Sequence, residues 1–195
     1  MENRFTDRQI EIMEAATLRI DQFGIQELTI KNLAADLKLS EAALYRHFKS
    51  KNDILLGLLT YFILEMKDRI STIMSSNQHP SDTLKQLFTS QLNTFVKKPA
   101  IVSVIFSEGI FQFNKELLDK VSEMMELMQI NISSLVYKGQ EQGIYAELLG
   151  KDAITTIIMG SMRMVVLKWK LSGNTSNLVK DGTNVLNGLL KMLEK

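Results

Sequence analysis

Only two prolines, Pro80 and Pro99, interrupt a chain of 195 residues whose apolar positions recur at three- and four-residue steps almost throughout. That spacing lines one face of a helix, which turns once in about 3.6 residues. No stretch alternates apolar and polar residues as a half-buried strand does, and no internal repeat stands out. The chain is therefore expected to be all-α.

Local signals divide it into about nine helices. Ile10, Met13, Thr17, Ile20 and Phe23 share one face of the first, which Thr6 and Gln9 start as a capping box and Gly24 stops as a left-handed C-cap. Thr29 caps a second helix with Leu33, Ala34 and Leu37 inward, and Ser40 caps a third over 41–48. Ser50 and Asp53 cap a fourth, long helix with Ile54, Leu55, Leu58, Leu59, Phe62, Met66 and Ile70 on its buried face. It meets no breaker before the polar stretch 75–80 and is expected to act as a rigid connector. Further helices are expected at 82–97, 100–112, 115–142, 152–172 and 176–193.

Composition excludes more than it selects. Apolar residues make up 45% and charged residues 23%, as in ordinary globular proteins, and no apolar run approaches the roughly 20 residues of a membrane span. No basic segment leads into an apolar one as in a signal peptide. Cysteine is absent, so disulfide and thiol chemistry are excluded, which fits a cytoplasmic protein. With His47 and His79 the only histidines, there is no metal-ligand spacing, phosphate loop or nucleophile elbow. No enzyme, metal or cofactor is expected.

The segment 29–51, TIKNLAADLKLSEAALYRHFKSK, carries the function. Two short helices joined by a tight turn make a helix-turn-helix, which places its second helix in the DNA major groove. Glu41, Ala42 and Ala43 open that second helix, and two small side chains permit close approach to base edges. Tyr45, Arg46 and His47 can donate to phosphate oxygens, and Lys51 lies in the first turn of the next helix, where free N–H groups also favour an anion. Residues 1–53 carry eight Lys/Arg against nine Asp/Glu, a net of −1, which weighs against nucleic acid. From 38 to 51, however, Lys38, Arg46, Lys49 and Lys51 face only Glu41, a local +3. A phosphate responds to that local surface, because charges beyond about 8 Å are screened at physiological salt. Taken alone, the pattern equally suits a helical hairpin with a solvated basic end.

Residues 6–60 resemble the N-terminal domain of the tetracycline-repressor (TetR) family of bacterial transcription regulators. The resemblance rests on Phe23-Gly24, Leu28-Thr29, Leu33-Ala34, Leu39-Ser40, Leu44-Tyr45-Arg46-His47-Phe48 and Lys49-Ser50-Lys51. It implies a three-helix DNA-binding domain over 1–53, and an effector-binding and dimerisation domain over 54–195 that begins with the connecting helix 54–74. By that resemblance Glu41, Ala42 and Ala43 face bases, while Tyr45, His47 and Lys51 grip phosphates. Thr29 and Lys31 occupy DNA-contact positions, Ser40 opens the recognition helix, and Arg46 can reach base or phosphate. One departure is Lys38, where the family has glycine at the turn; a left-handed non-glycine residue costs about 1 kcal/mol.

The resemblance further implies a homodimer through the last two helices, a near-palindromic double-stranded operator, and release by a small effector that prefers one spacing of the heads. The family is mostly repressors. An apolar or amphipathic effector fits a lining of Phe95, Phe106, Phe111, Phe113, Met124, Met125, Met128, Met159 and Met162, although such residues at helical spacing equally form plain core. The segment 106–113 is a candidate trigger. Arg163 is the only charge in the apolar run 154–167, so it is expected to be buried and paired. Its partner is either an acidic effector or, the preferred reading, a glutamate on a neighbouring helix or across a subunit interface. An alternative keeps the head and changes its use: some relatives of this fold are DNA-bound protein-interaction factors, among them a nucleoid-occlusion division inhibitor with a similar LYRHF stretch.

Overall fold

The computed structural model describes residues 5–76, 79–106 and 114–195. Among these the chain forms α1 (Asp7–Phe23), a 3-10 turn (Ile25–Glu27), α2 (Ile30–Asp36), α3 (Glu41–Tyr45), α4 (Lys51–Met74), α5 (Pro80–Lys97), α6 (Pro99–Ile105), α7 (Lys115–Glu141), α8 (Lys151–Leu171) and α9 (Leu178–Leu193). The all-α expectation holds; the one β-type pairing described is an isolated bridge between Tyr145 and Glu194. No helix among the described residues is long and apolar enough to cross a membrane.

Two compact units emerge, one of residues 1–65 with 98–123, the other of 66–97 with 124–195. In the first, Ile12, Met13, Ala16 and Ile20 of α1 are buried with Leu28, Leu33, Ala34, Leu44 and Phe48. These residues hold α2 against α1 and α3 against α2, and α6 also packs on α1. The expected inner face of α4 is buried throughout, from Ile54 to Ile70.

In the second unit α9 packs on α5 and α8. One tight joint there is Tyr145, fully buried, whose hydroxyl shares a 2.8 Å hydrogen bond with Ser81 Oγ. Gly139 makes room for the ring: a Cβ there would lie 2.3 Å from ring carbons of Tyr145. The backbone closes over the joint, since Ala146 N–H donates to Leu193 O at 2.7 Å.

Three local expectations are corrected. The third helix ends at Tyr45 rather than Phe48. The N–H groups of His47 and Phe48 both donate to Leu44 O, which tightens the end into a turn and seats Phe48 in the core before Ser50 restarts the chain. Gly24 has a φ of 85° but a ψ of 163°, so it turns the chain out into the 3-10 segment instead of forming a left-handed cap. Arg163 is not buried: it lies on the exposed side of α8, whose inward face is Ile154, Ile158, Met162, Val165, Val166 and Trp169. The last six residues of the expected helix 100–112 lie outside the described residues, and α6 is described to Ile105.

Candidate nucleic-acid interface

The interface begins with a turn that the backbone completes without glycine. After α2 the N–H of Leu39 donates to Ala34 O at 2.8 Å and that of Lys38 to Ala35 O at 3.1 Å. With Leu37 as C-cap and Lys38 at a φ of 54°, this is a Schellman motif. It turns the chain from α2 into α3, which packs on α2. The Lys38 side chain is exposed at the apex.

Both helix starts are capped by the side chains expected. Thr29 Oγ1 accepts from Asn32 N–H and Ser40 Oγ from Ala43 N–H, each at 3.1 Å. Each hydroxyl keeps its own hydrogen to donate. Leu44 points inward with no exposure, so the helical period turns Glu41, Ala42 and Tyr45 to solvent, with Arg46 exposed and Ala43 and His47 half-buried. Lys31 is exposed at the start of α2. The structure thus brings Glu41, Ala42, Ala43, Tyr45, Arg46 and His47 onto or beside one short helix and its following turn.

Ties between elements set the angle of that helix. Gln9 Nε2 reaches His47 O at 3.4 Å, from α1 to the end of α3. The guanidinium of Arg19 donates twice to Asp36, Nε to Oδ2 at 2.5 Å and Nη2 to Oδ1 at 2.7 Å, and lies 5.1 Å from the Phe23 ring centroid. That bidentate pair fixes α2 on α1 and holds the Asp36 carboxyl below its ordinary pKa. Ser50 Oγ accepts from Asp53 N–H, and Asp53 accepts from Lys49 N–H, so α4 starts rigidly just after the turn.

Lys51 departs from the simple picture of a waiting phosphate contact. Its ammonium donates to Ile25 O at 2.8 Å and is half-buried, and burial lowers its pKa, partly offset by Glu27. Neither this tie nor the Arg19–Asp36 pair carried a sequence signal, because the partners are 26 and 17 residues apart.

The proposed effector lining is only partly described. Phe111 and Phe113 lie outside the described residues, as does most of the 106–113 trigger segment. Phe95, Met124, Met128 and Met162 are buried in the second unit, Met159 is half-buried and Met125 exposed. Phe106 belongs to the first unit. No cluster of His, Asp and Glu among the described residues could hold a metal ion.

A capped helix-turn-helix with small and cationic side chains on its exposed helix defines a DNA-binding protein of the regulator class. Comparison with known proteins makes this specific. Residues 12–58 match the family described as bacterial regulatory proteins, tetR family, and residues 58–192 match the YsiA-like protein C-terminal region. The chain belongs to the TetR family of transcriptional regulators. The nucleoid occlusion factor SlmA of Shewanella pealeana is 25% identical over 130 residues, which span 67% of this chain and 66% of that protein's length. Among solved structures, the fatty acid degradation regulator FadR from Bacillus halodurans aligns with a TM-score of 0.83 at 21% identity, covering 96% of this chain and 97% of that one. The regulator FadR from Bacillus subtilis, in complex with stearoyl-CoA, aligns with a TM-score of 0.78 at 19% identity, covering 93% and 97%.

Proposed function

We propose that the protein is an operator-binding homodimer, a repressor released by a small apolar or amphipathic effector. The observation that carries the reading is the exposed face of α3 and its following turn, where Glu41, Ala42 and Ala43 stand beside Tyr45, Arg46 and His47. Glu41, Ala42 and Ala43 face base edges, with Lys31 and Arg46 adding hydrogen bonds, while Thr29, Ser40, Tyr45, His47 and Lys51 hold phosphates. Residues 1–53 serve as the reading head, and 54–195 receive the effector and form the dimer. A second apolar face in the body supports self-association: Ile157, Met164 and Leu171 of α8 and Val185 and Met192 of α9 are exposed in the single chain.

A long-chain acyl-CoA is the first effector to test. The stearoyl-CoA complex of the similar Bacillus subtilis regulator and the buried Phe and Met side chains together favour an acyl chain. Arg163 is proposed as a contact for the ligand's acidic group or for a carboxylate of the second subunit. The test is selection of bound DNA from a random pool, followed by titration of the complex with stearoyl-CoA, free coenzyme A and stearate. Two-fold-symmetric half-sites and release by the thioester alone are expected; asymmetric or absent enrichment overturns the operator reading.

A second reading, a DNA-bound protein-interaction factor, is favoured by the curated relatives named nucleoid occlusion factor SlmA. It predicts DNA binding indifferent to every acyl ligand.

A further inference from the structure

The first compact unit contains a cavity that DNA reading does not use. It measures 380 Å³ and lies between α1, α4 and the start of α6. Ile10, Met13, Leu58, Phe62 and Ile101 make an apolar wall, and Leu18 of α1 stands on its lip. That volume falls within the range of about 300–1,000 Å³ typical of small-molecule sites.

The polar groups at its mouth set the ligand's charge. Lys98 is already matched: its ammonium pairs with Glu65 and sits 5.5 Å from the Tyr61 ring centroid. Glu14, on α1, makes no ion pair among the described residues. The lining therefore carries one negative charge in excess, beside an aromatic face that Lys98 shows to be suited to a cation. Glu14 is exposed at the mouth, so its charge repels an acid there and attracts an amine, while a neutral molecule gains nothing from it.

We propose that this cavity binds hydrophobic amines, molecules with an apolar stem and a single positive charge, and that the bound stem alters DNA affinity. The stem lies against Met13, Leu58 and Phe62, and the ammonium meets Glu14. Coupling follows from packing inside one unit. Helix α1 forms one wall of the cavity and also carries α2, tied through Arg19 and Asp36. Wedging α1 from α4 or α6 therefore bears on the angle of the reading helices. None of the residues lining this cavity belongs to the proposed effector lining.

The test uses one stem with three charges: octylammonium, 1-octanol and octanoate, titrated into the full chain carrying ¹³C-methyl methionine. The Met13 methyl is expected to shift with octylammonium, more weakly with octanol and not with octanoate, while Met159 and Met162 stay fixed. Glu14→Gln lowers octylammonium affinity about threefold to fivefold, as expected for a partly exposed charge pair. Thr17→Phe, which fills the cavity from α1, abolishes the Met13 shift; a Glu14→Gln protein of unchanged fold serves if the phenylalanine is not tolerated. Equal binding of all three probes, or shifts confined to Met159 and Met162, overturns the site. Affinity for the selected DNA is expected to change with octylammonium in wild type, and Glu14→Gln is expected to need about threefold to fivefold more ligand for the same change. An unchanged affinity at saturation overturns the coupling.

Discussion

The ammonium of Lys51 donates a hydrogen bond to the carbonyl of Ile25, Nζ to O 2.8 Å. The bond ties the first turn of α4 to the 3-10 segment that leads into α2. A lysine in this place has two possible tasks, holding the turn and neutralising a phosphate, and salt dependence separates them. Each phosphate neutralised contributes about 0.9 to the slope of log K against log salt on B-DNA. Lys51→Ala is expected to lower the slope by roughly 0.9 and to weaken binding to all sequences alike. It is also expected to lower the melting temperature, because the Ile25 carbonyl loses its donor. An unchanged slope with a lowered melting temperature would confine Lys51 to holding the turn.

The Arg19–Asp36 pair predicts a specific acid sensitivity. The guanidinium holds the Asp36 carboxyl below its ordinary pKa. A depressed carboxylate contributes stability above its unfolded pKa of about 3.9, and that contribution is lost as pH falls through the lower folded value. Asp36→Asn is therefore expected to melt below wild type at neutral pH and to converge with it in strong acid. A gap that persists in acid would assign the effect to packing against Phe23 rather than to charge.

Lys38 offers the opposite test, a stabilising change. Its φ of 54° is left-handed, a conformation that costs a non-glycine residue about 1–2 kcal/mol. Glycine relieves this but adds freedom to the unfolded chain, which offsets roughly 0.5–1 kcal/mol. Lys38→Gly should raise the melting temperature by about 1–4 °C for a chain of this size. If the lysine contacts phosphate, the salt slope falls as well; if it only meets solvent, the slope stays.

Which parts were legible in the sequence follows from the range of the interactions. The capping box of Thr6 and Gln9 and the caps Thr29 and Ser40 act within three residues, so the sequence alone displays them. The inner face of α4 was legible because period and burial coincide. Arg163 was misplaced for a physical reason. Helix α8 is apolar on two faces, and only one is covered within a single chain. Sequence shows both faces as one apolar run, so the charge inside it looks buried. The Lys51–Ile25 and Arg19–Asp36 ties depend on how α1, α2 and α4 come together, which no local pattern encodes.

Gly139 and Tyr145 test the joint of the second unit. A methyl added at Gly139 would lie 2.3 Å from the ring. Overpacking costs about 1–3 kcal/mol, against a gain of up to about 1 kcal/mol from helix propensity. Gly139→Ala is expected to lower the melting temperature, and adding Tyr145→Leu should recover part of the loss by removing the clash. Tyr145→Phe alone leaves Ser81 Oγ without its partner and should cost about 1 kcal/mol. An alanine variant as stable as wild type would mean that the ring shifts freely.

The uncovered face of α8 and α9 carries the last prediction. Ile157, Met164 and Leu171 follow one another at sevenfold spacing along α8, as do Val185 and Met192 along α9. A stripe of that period packs against a neighbouring helix along its length. Leaving it in water forgoes about 25 cal/mol for each Å² of apolar surface, so a second copy is its proposed cover. Met164→Glu places a charge on the stripe without touching the folded core, since Met164 is exposed in the single chain. Sedimentation is expected to show a monomer, and affinity for a two-half-site operator to fall by on the order of tenfold or more, because two linked heads bind far better than one. Binding to a single half-site should be unchanged. A variant that remains a dimer of full affinity would place the subunit contact on another surface.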